Sequence, residues 1–148
     1  MRISAKGRYA LASVVSMAQQ YDTGEYITLI SISERLGISK IYLEQVFSLL
    51  KRAELVISVK GSQGGYQLAR APKLITALDV LAAVETSLFD RSEDTVPEKA
   101  PEIEAAIRSL VFESLDQSVA EALVRCTIED LLAAAEQHKA AHAVMFYI

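Results

Sequence analysis

One cysteine in 148 residues, Cys126, has no partner for an internal disulfide. The chain therefore reads as a resident of a reducing compartment, the cytosol by default, and not as a disulfide scaffold. Histidine is almost as scarce. His138 and His142 stand four apart on a predicted helix, where two imidazoles could face one metal ion, but two ligands do not close a site and the general-base Glu of the zinc-protease pattern is missing beside them. Cys126 has neither a His nor a second Cys next to it, so an inert buried thiol is its expected state, with a redox-active one as the alternative. No nucleophile-and-base arrangement marks an enzyme. Long apolar runs are missing too, since nothing approaches the roughly 18 residues of a membrane-spanning helix. Residues 9–18 follow Arg2, Lys6 and Arg8 in the manner of a signal peptide. The run is broken by Ser13 and Ser16, however, and Leu11, Val14, Val15 and Ala18 recur with the spacing of an amphipathic helix.

What is present is core material: 51% of residues are hydrophobic and 23% charged, which excludes a disordered chain and suits one compact domain. The charge is unevenly spread. Residues 1–75 hold ten basic and five acidic side chains, net +5, whereas residues 76–148 hold five and fourteen, net −9. A basic half that meets a polyanion and an acidic half with another task would give this pattern, and so would charges that merely decorate different solvated faces.

The first helix is predicted over residues 5–21, ended by the turn residues Asp22-Thr23-Gly24. A short extended piece at 26–28 precedes a second helix in which Leu29, Ile32, Ser33 and Leu36 share a face and Gly37 supplies a left-handed cap. Ser39 then caps a third helix, 39–53, with Ile41, Leu43, Val46, Phe47 and Leu50 as its apolar stripe. Two helices joined by a glycine-containing turn are the helix-turn-helix pattern. Directly after it, the β-branched run 55–59 and the alternating 66–68 flank Lys60-Gly61-Ser62-Gln63-Gly64-Gly65, a hairpin with a polar tip, which reads as a wing. A fourth helix is expected over 76–85 with Leu78, Leu81 and Ala82 on one side, then an exposed and mobile linker over 86–101. The longest periodic segment follows. Ile103, Ile107, Leu110, Val111, Leu115, Val119, Ala122 and Leu123 keep three-and-four spacing from about 101 to 124, more apolar length than a small domain buries alone, and are read as a dimerisation helix; packing on its own subunit is the alternative. Thr127 begins a last helix. The predicted architecture is mainly α with a small hairpin: a winged helix-turn-helix DNA-binding region, 1–75, and a helical dimerisation and partner-binding region, 76–148, in a single compact chain.

On the third helix, Lys40, Tyr42, Glu44, Gln45, Ser48, Lys51 and Arg52 lie off the apolar stripe, with Ser39 at its start. Tyr42 and Gln45 can donate to bases or phosphates, Glu44 can accept from a cytosine amino group, and the cations can neutralise phosphates. Lys60 and Gly61 at the wing tip suit a minor groove, and Arg2, Lys6 and Arg8 add phosphate contacts if the first helix starts near the duplex.

Met1-Arg2-Ile3-Ser4-Ala5-Lys6-Gly7-Arg8-Tyr9-Ala10, Ile38-Ser39 with Tyr42-Leu43-Glu44-Gln45, and Val59-Lys60-Gly61 with Gly64-Gly65-Tyr66 together resemble the Rrf2 family of bacterial winged-helix regulators, almost end to end. The resemblance implies a homodimeric repressor on a partly palindromic operator, with Tyr42, Glu44 and Gln45 in the major groove. Cluster-binding members carry three cysteines after the fourth helix, whereas residues 86–110 contain neither Cys nor His; no iron-sulfur cluster, and no other cofactor, is expected. The chain looks most like the clusterless branch that regulates cysteine metabolism. Its tail, Val144 with Met145, Phe146, Tyr147 and Ile148, is apolar beside a free carboxylate. Such a tail can pack on its own dimer or be captured by another protein. It is similar to the Ile-ending tails with which serine acetyltransferases occupy O-acetylserine sulfhydrylase, which implies that enzyme as a partner. An interaction subunit acting through the tail, and a thiol-based regulator using Cys126, are the rival functions.

Overall fold

Hydroxyl caps set the helix boundaries in the computed structural model, which describes residues 3–61 and 64–146. Helix α1, Ala5–Ala18, begins at Ser4, whose hydroxyl accepts from the Gly7 N–H at 3.3 Å. It stops short of the predicted Tyr21 because Tyr21–Thr23 tighten into a 3₁₀ turn. Thr28 caps α2, Leu29–Leu36, and Ser39 caps α3, Lys40–Arg52. Between them Gly37 takes φ 68, a left-handed conformation with little penalty only for glycine. The Ser33 hydroxyl donates to the Ile38 carbonyl at 2.6 Å and locks the turn. Strands β1, Val56–Val59, and β2, Gly65–Leu68, pair antiparallel with Val59 opposite Gly65. Ile27 adds a bridge to Tyr66 through two 2.8 Å backbone bonds, so the expected extended piece pairs with β2 of the wing.

Thr76 and Asp79 form a reciprocal capping box at the start of α4, Ala77–Val84. Its buried face is Ala77, Val80, Leu81 and Val84; Leu81 is buried as predicted, whereas Leu78 is half-buried and Ala82 exposed. The buried set, spaced at 0, 3, 4 and 7, is the stripe turned toward α1 and α3, against which α4 packs. Thr127 and Asp130 repeat the box at α7, Ile128–Phe146. The two regions share one core, in which Val14, Phe47, Leu50 and Ile75 meet Val80, Val84 and Ile128.

The long segment after the linker is α5, Pro101–Ile107, a π-helical turn, Arg108–Phe112, and α6, Glu113–Val124. The π turn inserts one extra residue into the helical count, so the three-and-four pattern does not stay on one straight stripe. The linker is exposed, as expected, but it is anchored. The Glu104 carboxylate accepts from the Thr95 and Val96 N–H groups at 2.9–3.1 Å, and Arg108 reaches Glu104 at 3.3 Å, Asp94 at 2.6 Å and the Ser92 carbonyl. The Val96 N–H above all, then Thr95 and Arg108, hold the Glu104 carboxyl below the usual glutamate range against the opposing effect of burial. No helix among the described residues is long and apolar enough to cross a membrane.

Candidate nucleic-acid interface

Leu43, Val46, Phe47 and Leu50 turn one face of α3 completely into the core. The opposite face therefore has to look outward, and the helix repeat decides what it displays: Ile41, Glu44, Gln45, Ser48 and Arg52, spaced at 0, 3, 4, 7 and 11, all exposed. Lys40 and Lys51 flank this stripe, and Lys40 lies 3.8 Å from Glu44 in an exposed i, i+4 pair. The expectation that Ile41 belongs to the apolar stripe is overturned. At 71% exposure it is the most open large apolar side chain among the described residues up to 75. The signal was available in the spacing, because Ile41 lies two residues before Leu43 and off the 43-46-47-50 line.

Tyr42 is half-buried rather than fully outward, because its ring meets that of Tyr9 edge-on, centroids 5.1 Å apart at 82°. This contact brings the start of α1 beside the start of α3. Lys6, half-buried, and Arg8, exposed, thus belong to the same end of the molecule as Ser39 and Lys40. Arg2 lies outside the described residues. Sequence reasoning missed the device that holds α1 there. α1 has no acidic residue in its first turn, and Glu85, just after α4, supplies one: its carboxylate accepts from the Ser4 N–H at 3.0 Å and also from the Ser4 hydroxyl. A carboxylate at a helix N-terminus opposes the dipole favourably. It can lie so close only because residue 7 is glycine, since a Cβ there would stand 2.5 Å from Glu85 Oε1.

The wing is tied to the same helix through Phe47 and Tyr66, whose rings are 4.8 Å apart. Lys60 and Gly61 stand exposed at its described tip; Ser62 and Gln63 lie outside the described residues. One end of the molecule thus presents a helix stripe of donors, acceptors and one methyl-rich side chain, flanked by cations on α1, α3 and the wing. A major groove accepts such a helix, and adjacent phosphates accept the cations.

The far region differs. Ile103, Leu110, Val111 and Leu115 are 52–78% exposed; Ile107, Val119 and Leu123 are half-buried, and Ala122 is exposed. Val144 and Met145 are exposed on α7, which runs to Phe146, while Tyr147 and Ile148 lie outside the described residues. The tail as far as Phe146 is therefore helix. Cys126 is half-buried, not buried, in the turn between α6 and α7. His138 and His142 are exposed, and no three metal-ligating side chains come together among the described residues. The metal donors present in residues 86–110 are carboxylates, not the thiolates that hold iron-sulfur clusters.

A family model described as Rrf2, iron-dependent transcriptional regulator, matches residues 3–134. The HTH-type transcriptional regulator CymR of Bacillus subtilis is 37% identical over 150 aligned residues, covering 100% of each chain. The solved structure of CymR as the global cysteine regulator of B. subtilis superposes with a TM-score of 0.73 at 34% identity, covering 90% of this chain and 98% of that one. The structure of T. potens IscR does so with a TM-score of 0.71 at 36% identity, covering 93% and 90%.

Proposed function

The chain belongs to the Rrf2 family of transcriptional regulators, DNA-binding proteins and not enzymes, and from that premise we propose a dimeric repressor of cysteine and sulfur metabolism genes that works without an iron-sulfur cluster. The observation that carries the cysteine branch is the end-to-end alignment with B. subtilis CymR, tail included. In support, the segment that would need thiolates has none, and is closed by Glu104 and Arg108.

Each protomer places α3 in the major groove of one half-site, the wing beside the adjacent minor groove, and the cations of α1 on the backbone. The exposed apolar side chains of α5, the π turn and α6 pair two copies, which sets the half-site spacing. Control comes through the tail: O-acetylserine sulfhydrylase captures Met145, Phe146, Tyr147 and Ile148, and its substrate O-acetylserine competes for the same site. Val144 and Met145 are more than half exposed on their own protomer, which leaves them open to capture, and the last turn of α7 unwinds to enter an active site as an extended peptide.

The test is recovery of genomic fragments by the purified chain, followed by calorimetry with the sulfhydrylase of the same cell. Fragments upstream of sulfur-assimilation genes, and binding of the enzyme that is lost on deleting Ile148 and weakened by O-acetylserine, are the expected results. Fragments from unrelated genes would overturn the cysteine assignment. Equal affinity with and without Ile148 would remove the tail from the mechanism.

A further inference from the structure

The stripe that α3 turns outward is polar except at one position. Glu44, Gln45, Ser48 and Arg52 offer hydrogen-bonding groups, whereas Ile41, at the N-terminal end of the stripe in the first turn of the helix, offers only hydrocarbon. The described residues of the protomer leave most of it uncovered: 71% of its surface is open, while Leu43, two residues on, is fully buried. Its position also separates it from the exposed apolar side chains of the C-terminal region, which lie on α5, the π turn and α6. On a helix face that otherwise offers only polar groups, an apolar counterpart on whatever α3 meets would account for a branched apolar side chain at that place.

Double-stranded DNA presents one such group in its major groove, the C5-methyl of thymine; every other feature there is a donor or an acceptor. Side chains of the first helical turn are the ones that reach base edges when a recognition helix enters the groove by its N-terminal end, and the Cα–Cβ bond of a helical residue tilts toward that end. We propose that Ile41 is a specificity-determining residue that packs on a thymine methyl in each operator half-site, so that this position is read by apolar contact while Glu44 and Gln45 read their neighbours by hydrogen bonds. The inference deepens the DNA-reading function proposed above and rests on it. It also says something that function leaves open: a thymine is required, and its methyl, not its O4, carries the requirement.

The experiment separates the two. Operator DNA is first selected from random duplexes by the purified full-length chain and sequenced. Each thymine of the half-site is then replaced by uracil, which removes the methyl and nothing else, and affinities are measured for the native chain and for Ile41→Ala. Because Ile41 is exposed, the substitution leaves the core untouched and the fold intact by circular dichroism. For the native chain, one uracil position per half-site is expected to lower affinity about fourfold, or about fifteenfold when both half-sites carry it, the value of one buried methyl group. Ile41→Ala is expected to bind the thymine operator about as weakly as the native chain binds the uracil one, and to lose the distinction between them. No selected sequence at all would overturn the DNA-reading function and this proposal with it. A selected half-site in which no uracil replacement matters, or one whose replacement penalises Ile41→Ala as much as the native chain, would overturn the assignment to Ile41 alone.

Discussion

The two halves of the chain bury their apolar residues to different extents. From α1 to the wing nearly every helix and strand contributes to one dense core, with Met17, Ile32, Leu43, Phe47 and Leu50 sealed from water. Between residues 101 and 145, by contrast, Ile128 is the one buried apolar side chain among the described residues, while Leu110, Val111 and Leu115 stand more than half open. The basic half closes one core together with α4 and Ile128 and exposes polar and cationic groups, whereas the rest of the acidic half exposes hydrocarbon, the surface proposed to pair two copies. In the proposed function reading and assembling fall to separate surfaces, so each should be breakable without the other.

The largest effect is expected in the completed half. Phe47→Ala removes a ring sealed between α3, the wing and the core, and is expected to destabilise the protein by about 3–5 kcal/mol in thermal or denaturant unfolding. The corresponding attack on the other half is expected to behave oppositely. Leu110→Glu with Leu115→Glu should change the stability of the protomer by less than about 0.5 kcal/mol, because both side chains already face water. The solution mass should fall to one chain, and operator affinity by about 100-fold or more as the second half-site is lost. Unfolding of that variant, or a mass still of two chains, would place the pairing surface elsewhere.

How much of this was legible in the sequence follows the range of the forces involved. Ser39 and Thr127 announced their helices, and Gly37 its turn, because a cap or a left-handed residue acts on its own neighbours. Ile41 was assigned to the core on hydrophobicity, when only its phase relative to Leu43, Val46, Phe47 and Leu50 showed that it faces outward. The π turn and the anchoring of the linker were not legible, since both depend on contacts that helical periodicity does not encode: Glu104 meets backbone groups eight and nine residues away. The Ser4 to Glu85 contact spans 81 residues and had no local signal.

That contact joins the two halves, so a smaller effect is expected from cutting it. Glu85→Ala frees the start of α1, and with it Lys6 and Arg8. Operator affinity should fall about tenfold, with a shallower salt dependence and an unchanged order of preference among sequences, because phosphate contacts are lost and base contacts kept. Unchanged salt dependence would show that α1 does not touch the duplex.

The smallest effect concerns acid. Glu104 has its carboxyl held below the ordinary glutamate range by the Val96 N–H, so its folded-state value lies under its unfolded one. It therefore adds stability above the ordinary glutamate range, and that stability is lost as pH falls through the ordinary value toward the lowered one. Glu104→Gln should flatten the stability-against-pH curve in that acid window and leave it parallel to the native curve at neutral pH. An unaltered acid limb would remove Glu104 from the anchoring of the linker.

The division of labour itself is tested most directly by the mass of the complex on a selected operator, measured by sedimentation for the native chain and for Leu110→Glu with Leu115→Glu. Two chains per duplex with half-sites about one helical turn apart are expected for the native protein, and one chain on an isolated half-site, bound weakly but with the same base preference, for the variant. One native chain per operator, or a variant that has lost its base preference along with its partner, would contradict the separation of the reading surface from the pairing surface.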